Sequence, residues 1–217
     1  MAHWAMVIDL RKCIGCKSCI LICNQVNNVS PGSEWRRVVG HTFENENTLN
    51  RFFLTMSCMH CQDPPCLKVC PTKATYQTNE GVVGINQDLC IGCSACILAC
   101  PYKTRSINRC TTMGCYEKFD CSTDKMWDKE QIGVCSKCDF CLPVIENGLK
   151  NGLRPGDDTE ATPMCVRYCL GKAISFGDLD DPDSQVSQIL IHSKATQLLE
   201  ELGTNPSVYY ILTAEEI

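Results

Sequence analysis

Cysteine is the residue type whose number and spacing could do chemistry in this chain, because 20 of its 217 residues are cysteine. Sixteen of them fall into four groups. The groups are Cys13, Cys16, Cys19 and Cys23; Cys58, Cys61, Cys66 and Cys70; Cys90, Cys93, Cys96 and Cys100; and Cys138, Cys141, Cys165 and Cys169. Bunched cysteines are typical of metal ligands, whereas disulfide scaffolds usually belong to shorter secreted chains. The spacing therefore predicts metal centres.

The first and third groups share the spacing C-x2-C-x2-C-x3-C, a run that binds [4Fe–4S] clusters. Three such thiolates can wrap one corner of an iron–sulfur cubane, and Gly15 and Gly92 suit the tight loop. The fourth cysteine follows by one helical turn, so it can bind a neighbouring cluster. Zinc needs two cysteine pairs with a longer span between them, which makes the third cysteine surplus. Only the fourth group, taken alone, resembles a zinc ribbon.

Short elements between the groups must position these thiols. Residues 74–78 and 82–85 are β-rich runs around a turn signal, which predicts a hairpin. Ala5–Ile8 and Ala173–Phe176 flank the first and fourth groups like an outer strand pair. We expect an α+β fold with two ferredoxin-like two-cluster units, one inserted in the other. The expected segments are an outer unit at 1–50 and 136–180, an inserted unit at 51–109, a cysteine-containing insertion at 110–135, and a C-terminal helix and partner-binding tail at 181–217.

Cross-ligation assigns each of the sixteen thiols once, because the fourth cysteine of a group serves the cluster of another group. The predicted sets are Cys13, Cys16, Cys19 and Cys169 for cluster one; Cys58, Cys61, Cys66 and Cys100 for cluster two; Cys90, Cys93, Cys96 and Cys70 for cluster three; and Cys138, Cys141, Cys165 and Cys23 for cluster four. A chain of four [4Fe–4S] clusters would conduct electrons. We expect no catalytic site, because no nucleotide loop, nucleophilic triad or carboxylate pair rises above chance.

The remaining cysteines leave alternatives open. Cys135, Cys138 and Cys141 also read C-x2-C-x2-C, which could make Cys135 a ligand in place of Cys165. The extra cysteines predict a structural zinc site, disulfides or ordinary thiols. They are Cys110, Cys115, Cys121 and Cys135. His60, inside the second group, is expected to face solvent.

The sequence resembles the four-cluster electron-transfer (beta) subunits of the molybdenum or tungsten bis-pterin oxidoreductases, such as dimethyl sulfoxide, polysulfide, thiosulfate, tetrathionate and arsenate reductases. The motifs that carry the resemblance are Met6–Cys16, Cys58–Cys66, Cys90–Cys93, Lys137–Cys141 and Leu202–Tyr210. It covers nearly the whole chain outside residues 102–135. The resemblance supports the nested pairing and implies that Cys138, not Cys135, heads the fourth group. This sequence departs from the family pattern after Cys169, where Leu170 stands in place of the usual proline.

The resemblance also implies partners and a location. It implies a non-catalytic subunit that relays electrons from or to a large pterin-holding catalytic subunit, with a quinone-linked integral membrane subunit at the other end. Such a chain would be peripheral to the cytoplasmic membrane as part of a complex, on the cytoplasmic side, or on the periplasmic side after export with its partner. The alternative is a free-standing soluble polyferredoxin that shuttles between enzymes.

Composition and patterning exclude other classes. The formal net charge is −5 with no basic block, which argues against a nucleic-acid partner. No stretch reaches the roughly 18 consecutive apolar residues of a membrane helix. Met1–Asp9 has neither the basic start nor the apolar core of a signal peptide. Residues 184–202 have apolar side chains at helical spacing, and we expect this helix and the tail to pack on a partner subunit, with packing inside the chain as the alternative.

Overall fold

The computed structural model describes residues 2–30, 32–45, 48–108 and 132–212. These residues form ten β-strands and six α-helices. The strands are β1 Trp4–Asp9, β2 Arg36–Asn45, β3 Thr48–Ser57, β4 Thr75–Gln77, β5 Val83–Ile85, β6 Ser106–Ile107, β7 Cys135–Ser136, β8 Ile174–Asp178, β9 Ala195–Gln197 and β10 Val208–Ile211. The helices are α1 Ser18–Val26, α2 Pro65–Lys68, α3 Ala95–Leu98, α4 Leu142–Lys150, α5 Met164–Arg167 and α6 Gln185–His192.

One four-stranded sheet organises the fold, with the strands in the order β8-β1-β10-β9. β1 pairs antiparallel with β8, so that Met6 lies opposite Phe176. On its other edge β1 pairs in parallel with β10, where Met6 lies opposite Val208. All six residues of β1 are buried, as expected for a strand that is covered on both faces. The pairing of β1 with β8 is the outer strand pair predicted from the sequence.

Three two-stranded pairs complete the sheet structure. β2 and β3 form a long antiparallel hairpin of ten residues per strand. β4 and β5 form the hairpin predicted between the second and third cysteine groups. β6 pairs with β7, so residues 106–107 lie beside residues 135–136 across the segment between them.

The core consists of apolar side chains and cysteine loops together. The larger cluster joins aromatic and aliphatic residues of the sheet, such as Met6, Phe176 and Tyr210, to cysteines of several groups. A second cluster contains Val7, Val186 and Ile211 and packs α6 against the opposite face of the sheet. Because cysteines fill positions that large apolar residues usually occupy, whatever they bind contributes to the interior.

The C-terminal segment differs from the prediction in two ways. The helix is shorter than residues 184–202: α6 begins after Ser184, which caps it by accepting the Ser187 N–H at 3.4 Å, and ends at His192. The chain then pairs with β10 as β9. In addition, β10 packs within this chain, because Val208 and Tyr210 are fully buried beside β1. Binding of the helix and tail to a partner stays a prediction. None of the described helices combines the length and the apolar character needed to cross a membrane.

Candidate metal centres

Four cavities inside the protein are lined by cysteine side chains. Three of the cavities have four cysteines each, and one has five because Cys135 also lines it. Apart from Cys135, one cysteine of each cavity comes from a different sequence group than the other three. Site one has Cys13, Cys16, Cys19 and Cys169; site two has Cys58, Cys61, Cys66 and Cys100; site three has Cys70, Cys90, Cys93 and Cys96; site four has Cys23, Cys138, Cys141 and Cys165. These quartets coincide with the ligand sets expected from the spacing. None of the seventeen cysteines that the structure describes is part of a disulfide.

The first loop of every site turns in the same way. The second residue after the leading cysteine has a positive φ, namely Gly15 (68°), His60 (43°), Gly92 (67°) and Phe140 (61°). Left-handed backbone of this kind gathers successive N–H groups into a concavity that suits anionic groups, including iron–sulfur clusters. Glycine adopts this conformation freely, whereas histidine and phenylalanine are strained in it. Such strain persists where the surrounding structure imposes it, commonly at functional sites.

Backbone N–H groups also donate to the cysteine sulfurs directly. The N–H of Ala173 donates to Sγ of Cys169 at 3.2 Å, and that of Cys135 donates to Sγ of Cys90 at 3.3 Å. Hydrogen bonds to ligand sulfurs stabilise the thiolate and tune a bound cluster. The sulfurs of Cys169 and Cys90 are therefore placed where negative charge is stabilised.

The cysteines of each site surround a space and do not converge on one point. Within the described parts of the chain, no three His, Cys, Asp or Glu side chains lie close enough to share a single metal ion. Zinc would need its sulfurs at about 2.3 Å from one centre. The described cysteines do not have this single-centre arrangement at any of the four sites.

Burial disfavours the charged form of several of these thiols. It raises the pKa of Cys19 and of Cys23 to about 11, and the pKa of Cys141 to about 12. Because the thiolate is the ligand, metal binding at these sites releases protons. Cys16 and Cys93 are exposed, so sites one and three each open to solvent at one corner.

Three buried cations lie near the sites. Arg36, Arg105 and Lys137 are 2%, 6% and 3% exposed, and none of them takes part in the ion pairs found among the described residues. A buried cation without a counter-charge is strongly unfavourable. Arg36 lines site four, and Arg105 lines site two. Anionic thiolate clusters at these sites would supply the missing negative charge.

The lack of a negatively charged partner is clearest for Arg36. Its Nη2 atom lies 3.3 Å from Sδ of Met6 and donates to Oγ of Ser57 at 3.4 Å. Its Nη1 atom is buried and has no hydrogen-bond partner among the described residues. An orphaned guanidinium nitrogen beside four cysteines fits a site that holds an anionic group.

His60 is fully buried, which corrects the expectation that it faces solvent. Its ring stacks on Phe140 with the centroids 3.7 Å apart, and its Nδ1 atom accepts the N–H of Val83 at 3.1 Å. Burial lowers the pKa of His60 well below its usual value, so the imidazole is neutral. The cause of the wrong expectation is that spacing says nothing about which side of a loop is covered.

Cys135 lies at site three, whereas Cys165 lies at site four. The geometry therefore does not support the alternative in which Cys135 replaces Cys165. Sγ of Cys135 is 3.6 Å from Sγ of Cys96, and this hydrogen bond lowers the pKa of Cys96. The other members of the predicted zinc set lie outside the described residues. They are Cys110, Cys115 and Cys121.

Comparisons with known proteins agree with this geometry. Residues 49–125 match the family described as a 4Fe-4S dicluster domain. A selenate reductase subunit of Mesobacillus selenatarsenatis is 36% identical over 96% of this chain and 72% of the relative. A tetrathionate reductase subunit of Salmonella typhimurium is 34% identical over 96% of this chain and 72% of the relative. The arsenate respiratory reductase iron–sulfur subunit of a Shewanella species is 34% identical over 95% of this chain and 94% of its own length. The chain belongs to the family of iron–sulfur electron-transfer subunits of molybdopterin oxidoreductases.

Proposed function

We propose that this chain holds four [4Fe–4S] clusters, one at each of the four sites, and carries single electrons between two protein partners. The proposed ligands are the four cysteines of each predicted set, so that Cys135 at site three is not a ligand. The observation that supports the proposal most directly is that the sixteen cysteines of these sets line four separate cavities, four to a cavity. The buried cations without carboxylate partners support it independently, because they require negative charge at the sites.

The sites group into two units that exchange cysteines. Cys23 lies on α1 with Cys19 but lines site four, while Cys169 of the fourth group lines site one. Cys70 and Cys100 are exchanged in the same way between sites two and three. We infer that residues 1–50 and 136–180 form an outer unit into which residues 51–109 are inserted, as two ferredoxin-like units. The β6–β7 pairing adds Cys135 to the inserted unit.

The residues of this chain bind, bury and electrostatically balance the clusters. When bound, each cluster supplies one-electron oxidation and reduction. The cysteines fix the positions, backbone N–H groups such as those of Ala173 and Cys135 donate to the sulfurs, and the buried cations offset charge. Burial of most ligand cysteines excludes water and with it competing reactions. No substrate is transformed by this chain in our proposal.

The proposed partners follow from the relatives. The relatives are named as subunits of selenate, tetrathionate and arsenate reductases. These enzymes are named for different substrates, whereas the three subunits are all similar in sequence to this chain. We infer that the substrate is bound by a large molybdenum or tungsten bis-pterin subunit, and that a quinone-linked integral membrane subunit is the second partner. The chain would then be peripheral to the cytoplasmic membrane. Relatives that are subunits support this assignment over a free polyferredoxin.

Purification without oxygen and metal analysis test the proposal. We expect about sixteen iron and about sixteen sulfide per chain, from four clusters of four. Cys165→Ser should lower the iron content by about one cluster, whereas Cys135→Ser should leave it unchanged, as a matched control. Zinc in place of iron, or an iron content that falls equally in both variants, would contradict the ligand assignment.

A pull-down from the native source tests the partners. The tagged chain should recover a large subunit that contains molybdenum or tungsten. Recovery of the chain alone, fully active as an electron carrier between added enzymes, would support the polyferredoxin. Zinc analysis of the same sample tests the structural zinc predicted for the insertion.

A further inference from the structure

Arg105 and Cys135 connect a cysteine of site two to a cysteine of site three. Nη2 of Arg105 donates to Sγ of Cys66 at 3.0 Å, and its Nη1 lies 4.0 Å from Sγ of Cys135. Sγ of Cys135 in turn lies 3.6 Å from Sγ of Cys96. Cys66 lines site two and Cys96 lines site three. The four side chains thus form a continuous row of polar contacts between two sites.

The backbone holds both middle members of this row in place. Cys135 lies opposite Ile107 in the β6–β7 pair, and Arg105 immediately precedes β6. The Cys135 N–H donates to Sγ of Cys90 at 3.3 Å, and Nη1 of Arg105 donates to Oγ1 of Thr75 at 3.2 Å. Both side chains are buried. Such fixed, desolvated donors act more strongly on a neighbouring charge than mobile surface groups do.

The charge of Arg105 is directed at sulfur. None of the ion pairs in the described part of the chain includes it, while Cys66 accepts one of its N–H groups at 3.0 Å. Reduction adds a negative charge to an iron–sulfur cluster. A nearby cation and hydrogen bonds to the ligand sulfurs stabilise that reduced form and raise the reduction potential.

We propose that Arg105 and Cys135 are positioning residues that raise the reduction potentials of the clusters at sites two and three, with Arg105 acting on both clusters and Cys135 on the cluster at site three alone. The inference rests on the proposed function, since it requires clusters at these sites. A Cys96 thiolate bound to iron has no S–H to donate, so Cys135 would then be the donor in their contact and not itself a ligand. Arg105 and Cys135 together therefore set the difference in reduction potential between the clusters at sites two and three.

Redox titration followed by electron paramagnetic resonance tests this inference on the full chain in its purified complex. We expect Cys135→Ala to shift one of the four midpoint potentials to a more negative value. Arg105→Gln should shift two midpoints in that direction, and one of them should be the midpoint that Cys135→Ala moves. Cys135→Ser and Arg105→Lys retain a donor or the charge, so they should give smaller shifts of the same midpoints. Arg154→Gln, which alters an arginine whose side chain is 59% exposed, is the control and should shift none.

The iron content separates the possible failures. Clusters missing from the unaltered chain would overturn the proposed function and this inference with it. If Cys135→Ala and Arg105→Gln keep about sixteen iron atoms and all four midpoints stay unchanged, only the inference is overturned. Equal shifts of all four midpoints would indicate a general structural effect and would also overturn it. Should Arg105→Gln fail to fold, unchanged midpoints in Cys135→Ala and Arg105→Lys suffice to reject the inference.

Discussion

The rings of His60 and Phe140 stack with their centroids 3.7 Å apart and their planes 25° from parallel. Both residues have a positive φ, of 43° and 61°. They occupy the loop position that Gly15 and Gly92 occupy in sites one and three. Sites two and four thus use strained residues where the other sites use glycine, and the stacked pair joins the two loops.

Phe140 should therefore contribute strongly to stability. We expect Phe140→Ala to lower the free energy of unfolding by about 3–5 kcal/mol, the usual effect of truncating a buried phenylalanine. Phe140→Gly leaves a slightly larger cavity but relieves the left-handed strain, so it should be no less stable than the alanine variant. Denaturant titration of the anaerobic protein, followed by cluster absorbance, measures both. A glycine variant clearly less stable than the alanine variant would contradict the role of strain.

Cys135 should be able to replace Cys96 as a ligand. Because their sulfur atoms lie 3.6 Å apart, a small shift of the β7 backbone would bring Cys135 to the iron atom that Cys96 leaves. We expect Cys96→Ala to retain about four clusters by iron analysis and Mössbauer spectroscopy. The double variant Cys96→Ala/Cys135→Ser should lose iron from one cluster. Cys93→Ala is the control, and full iron retention there would show that the fifth thiol is irrelevant.

Arg36 should raise the potential of the cluster at site four. Its buried guanidinium lines that site and has an unpartnered Nη1 atom among the described residues. We expect Arg36→Met to shift at least one midpoint negative by about 60 mV or more, which is a tenfold change in a one-electron equilibrium. The shifted midpoint should differ from those that Arg105→Gln moves. If Arg36→Met and Arg105→Gln shifted the same midpoints in a redox titration, Arg36 would not act selectively on the cluster at site four.

Oxidants should attack sites one and three first in the isolated chain. Cys16 and Cys93 are exposed, whereas Cys138 and Cys165 are buried, and access to the sulfur controls cysteine oxidation. Brief treatment with peroxide, followed by alkylation and mass spectrometry, should label Cys16 and Cys93 before the site-four cysteines. Simultaneous labelling of all four sites would mean that the protein opens globally before it is oxidised.

The Tyr210 hydroxyl should stabilise the contact between β10 and the hairpin of β2 and β3. Its hydroxyl donates to the carbonyl oxygen of Thr55 at 2.9 Å in the buried core. Tyr210→Phe leaves that carbonyl unsatisfied and should lower the free energy of unfolding by about 1–3 kcal/mol. Tyr209→Phe, at the half-buried neighbouring position, is the control. Equal stability of the Tyr210 variant and the unaltered protein would show that water replaces the lost bond.

The cysteine spacing predicts much of the site because ligand geometry is local. A thiol one helical turn after the third cysteine of a group can reach a neighbouring site. Cys70 and Cys100 do this, since each lines the cavity of the other's group. The hairpin of β4 and β5 was predictable for a similar reason, since a turn signal separates two β-rich runs. Which cysteines bind iron remains our proposal.

The buried cations and the C-terminal strands could not be predicted, because long-range packing decides them. Arg36 and Arg37 are adjacent and chemically identical, yet Arg36 turns inward while Nη2 of Arg37 donates to the carbonyl oxygen of Tyr102 at 2.7 Å. Residues 184–202 have apolar side chains at helical spacing, but pairing with β10 converts residues 195–197 to a strand. Tertiary hydrogen bonds outweigh local propensity there.

The position of β1 affects the order in which the molecule can be assembled. Its two edges are satisfied by β8 and β10, and both of these emerge from the ribosome long after β1 and the first cysteine loop. A chain released before β10 is made leaves one edge of its central strand unpaired, a known route to aggregation. Iron inserted before translation ends would therefore enter a protein whose central sheet is incomplete. Delivery of the clusters after β10 has paired with β1 would avoid this.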